Sequence, residues 1–152
     1  MTLTGIRFRE ANVADVPAME LCHPSDEAPD TRMAAYFDRA HHPQEALGPR
    51  VGYVATINDA VVGYIAGHRT TRHGCGGELQ YFFVSPEFRR RGIATRLLRL
   101  LAAWFEAQSV DSVCVAIAGD SPPQAKPFCE SVGAVPLKKH WYVWPDIATL
   151  CD

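Results

Sequence analysis

The chain has 152 residues, 47% of them hydrophobic and 21% charged, which is enough apolar content for a core and too much for a disordered segment. Fifteen basic side chains against seventeen acidic ones leave a net charge of −2, so binding to a polyanion by bulk electrostatics is excluded and any anion site has to be local. This length predicts one compact domain over 1–152.

The N-terminal stretch MTLTGIRFRE carries charge where a signal peptide needs an apolar run. The most apolar stretch, Leu97 to Phe105, is short and interrupted by Arg99, which predicts no membrane span. Cysteines stand at 22, 75, 114, 129 and 151, an odd count without a C-x-x-C pair. That argues against a disulfide scaffold or a zinc site and for reduced thiols in a cytoplasm.

Ile6-Arg7-Phe8-Arg9 alternates apolar and charged residues, as a half-buried strand does. A helix follows in NVADVPAMEL, with Asn12 or Asp15 as its cap and Pro17 in its first turn. His23 to Asp30 reads as a loop. Asp30 or Thr31 can cap a second helix running through Ala40, and His41 to Arg50 reads as loop again. Gly52 to Ile57, Asn58-Asp59 and Ala60 to His68 form a predicted β-hairpin. The glycines at 74, 76 and 77 fit a plain turn better than a phosphate loop, because no helix follows directly. Glu78 to Val84 is the next strand. Strict alternation puts Leu79, Tyr81 and Phe83 on one face and Glu78, Gln80, Phe82 and Val84 on the other. A helix over about Gly92 to Gln108 is apolar around most of its circumference. Ser112 to Ala118 is a further strand. The segment from Gly119 is helix-like towards its end, and Gly133 is placed to stop it. Trp141 to Trp144 closes the pattern as an aromatic strand. The order of elements is mixed α/β, with a hairpin early and a βαβ-like unit in the second half.

The most informative stretch is Phe83 to Leu98, FVSPEFRRRGIATRLL. A strand, a short loop and a glycine at a helix start together make an anion site. The first turn of a helix has N–H groups without intrahelical partners, and its dipole adds roughly half a positive charge. Gly92 lets backbone come close to a ligand, and Arg89, Arg90 and Arg91 add charged, bidentate donors. Charge alone would fit a solvated patch; the glycine and its position between strand and helix favour a pyrophosphate grip.

Arg89-Arg90-Arg91-Gly92-Ile93-Ala94 resembles the R/Q-x-x-G-x-G/A motif of the GNAT superfamily of N-acetyltransferases. The lead-in Phe83 to Phe88, the strand Ala60 to Gly67 and the segment Phe128 to Ala134 resemble the family as well. The resemblance implies the acyl-CoA N-acyltransferase fold: a mixed, mostly antiparallel sheet with one splayed parallel strand pair, here Glu78–Val84 and Ser112–Ala118, flanked by helices. It implies acetyl-CoA as co-substrate, with the pyrophosphate on the backbone of Arg90, Arg91, Gly92, Ile93, Ala94 and Thr95 and on the Arg89 side chain. The pantetheine arm would pair with Phe83 and Val84.

Acetyl transfer to an amine requires that the amine lose a proton, and a free lysine-like amine has a pKa near about 10.4. The resemblance makes Glu78 the general base. Its usual proton donor to the departing thiolate is a tyrosine in the late helix; Cys129 stands in that place, with Tyr142 or water as substitutes. Pro127 implies that this helix is short or shifted. Alternative uses of the chain are a non-catalytic acyl-CoA sensor on the same fold, prompted by the missing tyrosine, and nucleic-acid binding through Arg89–Arg91, which the negative net charge disfavours. His68 and His73 are candidates to line an acceptor pocket. Acidic Asp26, Glu27 and Asp30 would attract a cationic amine. The Trp141–Trp144 face suits a substrate, a partner or a homodimer. The acceptor itself is not legible.

Overall fold

A computed structural model describes residues 5–22, 32–119 and 121–151. The expected loop from His23, the caps at Asp30 and Thr31 and the acidic group at Asp26, Glu27 and Asp30 lie outside these residues.

Seven strands form one sheet: β1 (Ile6–Glu10), β2 (Ala46–Ile57), β3 (Ala60–Thr70), β4 (Gly77–Val84), β5 (Val113–Ala116), β6 (Val135–Lys138) and β7 (Trp141–Trp144). Their spatial order is β1-β2-β3-β4-β5-β7-β6, and every neighbouring pair is antiparallel except β4–β5. The helices are α1 (Val16–Leu21), α2 (Met33–Phe37), α3 (Ile93–Ala107) and α4 (Ala125–Ser131). This is the mixed, mostly antiparallel sheet with one parallel pair that the family resemblance implies.

The local chemistry explains most element ends. Asn12 caps a 3-10 turn at Val13–Asp15, and Asp15 reaches back to the Asn12 N–H in a reciprocal capping box. Pro17 falls in the first turn of α1, where its missing N–H costs nothing. Asn58 and Asp59 both adopt left-handed backbone (φ 50° and 67°), the pattern that matches a two-residue hairpin turn to strand twist.

Three boundaries differ from the sequence expectation. The second helix ends at Phe37, not Ala40, because Arg39 turns left-handed (φ 62°). Ala46 to Arg50 is strand, not loop: β2 starts there, with a pairing irregularity that accommodates Gly48 and Pro49. The later strand is only Val113–Ala116. The sequence gives no sign of β6; all four of its residues are exposed on the sheet edge.

The main core lies between the sheet and α3. Ile93, Leu97, Leu98, Leu101, Ala102 and Phe105 pack there against Ile65, Leu79, Val84, Val113 and Trp144. On the opposite face Val16 and Met19 of α1 and Met33 of α2 pack with Val54, Tyr64 and Phe83. The sheet is therefore covered on both faces, and β4 contributes side chains to both cores.

Candidate active site

The site begins where the parallel pair comes apart. β4 and β5 are in register only at Gly77–Val113, Glu78–Cys114 and Leu79–Val115. Beyond that point Gln80, Phe82, Phe83 and Val84 form one wall of a cleft of about 480 Å³, and Ala116 and Ile117 form the other. Phe88, Arg89, Arg90 and the turn from Gly92 to Thr95 close one end, and Ser121, Pro122, Gln124, Ala125, Phe128 and Cys129 cover the far side.

A β-bulge shapes the fork. Ala66 and Gly67 of β3 face Tyr81 and Leu79, so Gln80 has no partner on β3. The alternation slips there. Leu79, Phe82 and Val84 join the core under α3, whereas Tyr81 and Phe83 join the opposite core. Leu79 thus leaves the face on which strict alternation placed it with Tyr81 and Phe83. Glu78 is also corrected: it does not share a face with Phe82 and Val84. It stands directly opposite His68, whose ring meets Tyr36 of α2, so its carboxyl lies on the α2 side while the residue still lines the floor of the cleft. Gly67 permits the bulge. A Cβ there would lie 2.8 Å from the Glu78 carbonyl oxygen and 3.1 Å from the Phe105 ring.

The loop between β4 and α3 carries two left-handed residues, Arg90 (φ 63°) and Gly92 (φ 83°). Gly92 is the N-cap of α3 and supplies no side-chain hydrogen bond, so the first-turn N–H groups remain available to a ligand. Backbone of this kind, next to a 15-residue helix, suits an anion. Arg89 holds the loop to the strand: its Nε donates to the Val84 carbonyl at 2.8 Å, and its guanidinium lies 5.4 Å from the Phe83 ring centre. With the Gln124 amide oriented to satisfy its neighbours, Gln124 Oε1 accepts from both terminal nitrogens of Arg89, at 3.1 and 3.3 Å. Arg89 therefore ties the β4 wall to the start of α4. Arg89, Arg90, Gly92, Ile93, Ala94 and Thr95 line the cleft together with Phe83 and Val84. Arg91 does not; its guanidinium sits 5.2 Å over the Phe88 ring.

On the far side, α4 is short, as Pro127 implies. It starts at Ala125, which puts Pro127 in the first turn, where no intrahelical N–H bond is lost. Gly133 (φ 100°) follows its end. Cys129 is buried to 4% exposure and lines the cleft, and burial first, then the Glu130 charge, pushes its thiol up to about 11. Tyr142 lies on β7 opposite Val115, packed against the main core, and does not line the cleft.

Behind the cleft floor a polar row crosses the sheet. Register places Arg50 of β2 opposite His68 of β3, His68 opposite Glu78 of β4, and Glu78 opposite Cys114 of β5. Glu78 and His68 are 4% and 0% exposed. Glu78 Oε1 lies 3.1 Å from Arg72 Nε and 3.6 Å from His68 Nε2. His68 Nδ1 lies 2.9 Å from the Tyr36 hydroxyl. Arg72 is stacked 4.9 Å over the Trp141 ring, and His73 meets the same ring edge-on at 4.6 Å. Of the two histidines considered for an acceptor pocket, His68 is thus a buried partner of Glu78 and His73 a partner of Trp141. Sequence reading misses Tyr36, Arg72 and Gln124. Arg72 has a faint signal, two residues beyond a strand end and six before a strand glutamate.

The profile of the acetyltransferase (GNAT) family matches residues 16–134. No curated protein matches the chain in sequence. Solved structures share the fold at low identity. An acetyltransferase from Thermus thermophilus superposes with a TM-score of 0.72 at 18% identity, over 95% of this chain and 99% of that one. Ard1 from Thermoplasma volcanium does so with 0.69 at 20% identity, over 92% and 95%. A chain of the NatC complex bound to Gag peptide and CoA gives 0.70 at 14% identity, over 93% and 99%. Among the described residues no helix is long and apolar enough to cross a membrane.

Proposed function

The chain belongs to the acetyltransferase (GNAT) family, and on that premise we propose that it is an acetyl-CoA-dependent N-acetyltransferase that passes the acetyl group directly to a primary amine in a ternary complex. The observation that carries this reading is the fork of β4 and β5. One cleft runs from an uncapped helix start, ringed by Arg89, Arg90 and Gly92, to a floor lined by Glu78, whose buried carboxyl lies just behind it on the α2 side.

In this reading the pyrophosphate of the co-substrate sits on the backbone of Arg90 to Thr95, with Arg89 adding charge. The pantetheine arm follows Phe83 and Val84 between the splayed strands. Because Arg89 Nε already occupies the Val84 carbonyl, pairing there requires that this contact open or that the arm use another backbone group. The thioester then reaches the level of Leu79 and Val115. The amine nitrogen attacks the thioester carbonyl carbon, the C–S bond breaks, and Glu78 takes the proton released by the nitrogen.

The thiolate needs a proton in return. The Cys129 thiol holds its own at about 11, against about 8.5 for an ordinary thiol, so transfer from Cys129 would run uphill by roughly 3 kcal/mol. The thiolate takes its proton by exchange with the solvent at neutral pH, where a thiol of pKa about 8.5 is mostly protonated, and Cys129 serves as a small wall residue. Tyr142 lies off the cleft and is not assigned the role.

The test is acetyl-CoA turnover, read as free thiol release, across a panel holding a polyamine, an aminoglycoside, an amino acid, a free peptide N-terminus and a lysine peptide. Turnover of any of them supports the enzyme. Acetyl-CoA binding by calorimetry with no turnover on the whole panel would favour the sensor reading that Cys129, in place of a tyrosine, keeps in view.

A further inference from the structure

The buried row behind the cleft contains a histidine to which the proposed mechanism gives no task. His68 is fully buried on β3; among the described residues its Nε2 makes no hydrogen bond, and Glu78 Oε1 has the ion pair with Arg72 Nε at 3.1 Å but no well-aligned hydrogen bond. A buried polar group left in that state is unfavourable, so a pair of them facing each other at 3.6 Å calls for an explanation.

The tautomer provides one. The Tyr36 side chain is completely buried, and burial above all raises its pKa far beyond the ordinary tyrosine range, so its hydroxyl keeps its proton and can donate. His68 Nδ1, 2.9 Å away, then accepts, and the single proton of a neutral imidazole is on Nε2. The alternative tautomer would turn the Nε2 lone pair towards the Glu78 carboxylate, two acceptors face to face in a dry interior. The surroundings are consistent with this. Arg50 of β2 stands opposite His68 with its guanidinium 4.6 Å from the Tyr36 ring centre, and Arg72 approaches Glu78 Oε1 from the turn after β3.

We infer that His68 is a positioning residue: fixed as the Nε2–H tautomer by the Tyr36 hydroxyl, it orients the Glu78 carboxylate on the floor of the cleft. Arg72 and His68 converge on the same oxygen, Oε1, and together set the rotation of the carboxyl group, leaving Oε2 for the amine. The 3.6 Å separation shortens to a hydrogen bond when a substrate fills the cleft, as such contacts do in catalytic sites. The inference rests on the reading of Glu78 as the base, but its geometry is testable without turnover.

The experiment is a long-range proton–nitrogen NMR spectrum of the histidine side chains in ¹⁵N-labelled protein at neutral pH, with His68 assigned by its loss in His68→Gln. The expected result is an unprotonated Nδ1 and a protonated Nε2 in the unsubstituted protein, giving way to a mixture of tautomers in Tyr36→Phe. A protonated Nδ1, or a mixture already present without substitution, overturns the inference. With an amine that supports turnover, His68→Leu is expected to lower kcat by about ten- to a hundredfold while KM for acetyl-CoA stays within about twofold. His68→Gln, which keeps an N–H donor, is expected to recover part of that loss. A folded His68→Leu with unchanged kcat, in a protein where Glu78→Gln is inactive, also overturns it. If Glu78→Gln itself is fully active, the base reading fails and the tautomer spectrum still decides the geometry.

Discussion

Arg89 Nε donates to the carbonyl oxygen of Val84 at 2.8 Å, across the five-residue step from the end of β4 into the loop before α3. The same guanidinium reaches Gln124 at the mouth of α4. One side chain thus fixes the loop to the strand and spans the cleft that the co-substrate would enter. Removing it takes away a charge and loosens the loop. Arg89→Ala is expected to weaken acetyl-CoA binding about tenfold, or ~1.4 kcal/mol, measured by calorimetry. Arg89→Lys is expected to restore part of the affinity through charge, but not the three-way contact.

Gly92 has φ 83° at the N-cap of α3. A side chain there meets the left-handed penalty of about 1–2 kcal/mol. Gly92→Ala is expected to lower Tm by a few degrees, about 2–4 °C per kcal/mol for a chain of this size. It should also weaken acetyl-CoA binding, because a Cβ stands where backbone is to approach phosphate. Scanning calorimetry with and without ligand separates the two effects.

Gly67 lies opposite Leu79 beside the bulge, where a Cβ would press on the Glu78 carbonyl at 2.8 Å and on Leu101 at 3.2 Å. Both neighbours are confined, one being strand backbone and the other core. Gly67→Ala is expected to destabilise the fold by about 1–3 kcal/mol, the usual range for overpacking, and to depress turnover beyond what lost folded protein explains. Urea denaturation gives the first quantity and kcat per folded molecule the second.

The anion loop is legible as a strand, an Arg-rich loop, a glycine and an apolar helix in succession from Glu78 to Gln108, and the fork of β4 and β5 is legible only through the family resemblance that the Arg89–Ala94 motif carries. Its far strand is legible too, though shorter in the structure than the pattern suggests. Glu78's neighbourhood is not. Period-two reasoning assumes an unbroken ladder, and the bulge at Gln80 moves Leu79 to the core under α3 and leaves Glu78 facing His68. Pairing register across β2, β3 and β4 brings Arg50, His68 and Glu78 into one row although they are far apart in the chain, and no local pattern encodes that. Ala46–Arg50 misleads for a local reason: Gly48 and Pro49 look like loop, and only the irregular pairing with β3 admits them to a strand. β6 escapes because all its residues are exposed, so burial periodicity has nothing to reveal.

Cys129 links the cleft to stability at high pH. Its thiol is pushed up to about 11, mainly by burial, above the value of about 8.5 expected in the unfolded chain. The folded state therefore favours the neutral thiol. That contribution is fully present below about pH 8.5 and is lost as pH rises towards 11. The unsubstituted protein is expected to lose more stability between about pH 8 and pH 11 than Cys129→Ala, as followed by urea midpoints. The same burial predicts slow alkylation of Cys129 by iodoacetamide at about pH 8 in the native protein and rapid alkylation after unfolding.

The central claim is that the β4–β5 cleft takes acetyl-CoA and that Glu78 at its floor removes the proton of an amine. The most direct measurement sets Glu78→Gln beside the unsubstituted protein, with acetyl-CoA affinity by calorimetry and turnover by thiol release on the best amine of the panel. The predicted result is an affinity unchanged within about twofold and a kcat lowered by about 10²–10⁴-fold at neutral pH, the range for loss of a general base. A kcat equal to that of the unsubstituted protein at every pH would contradict the claim.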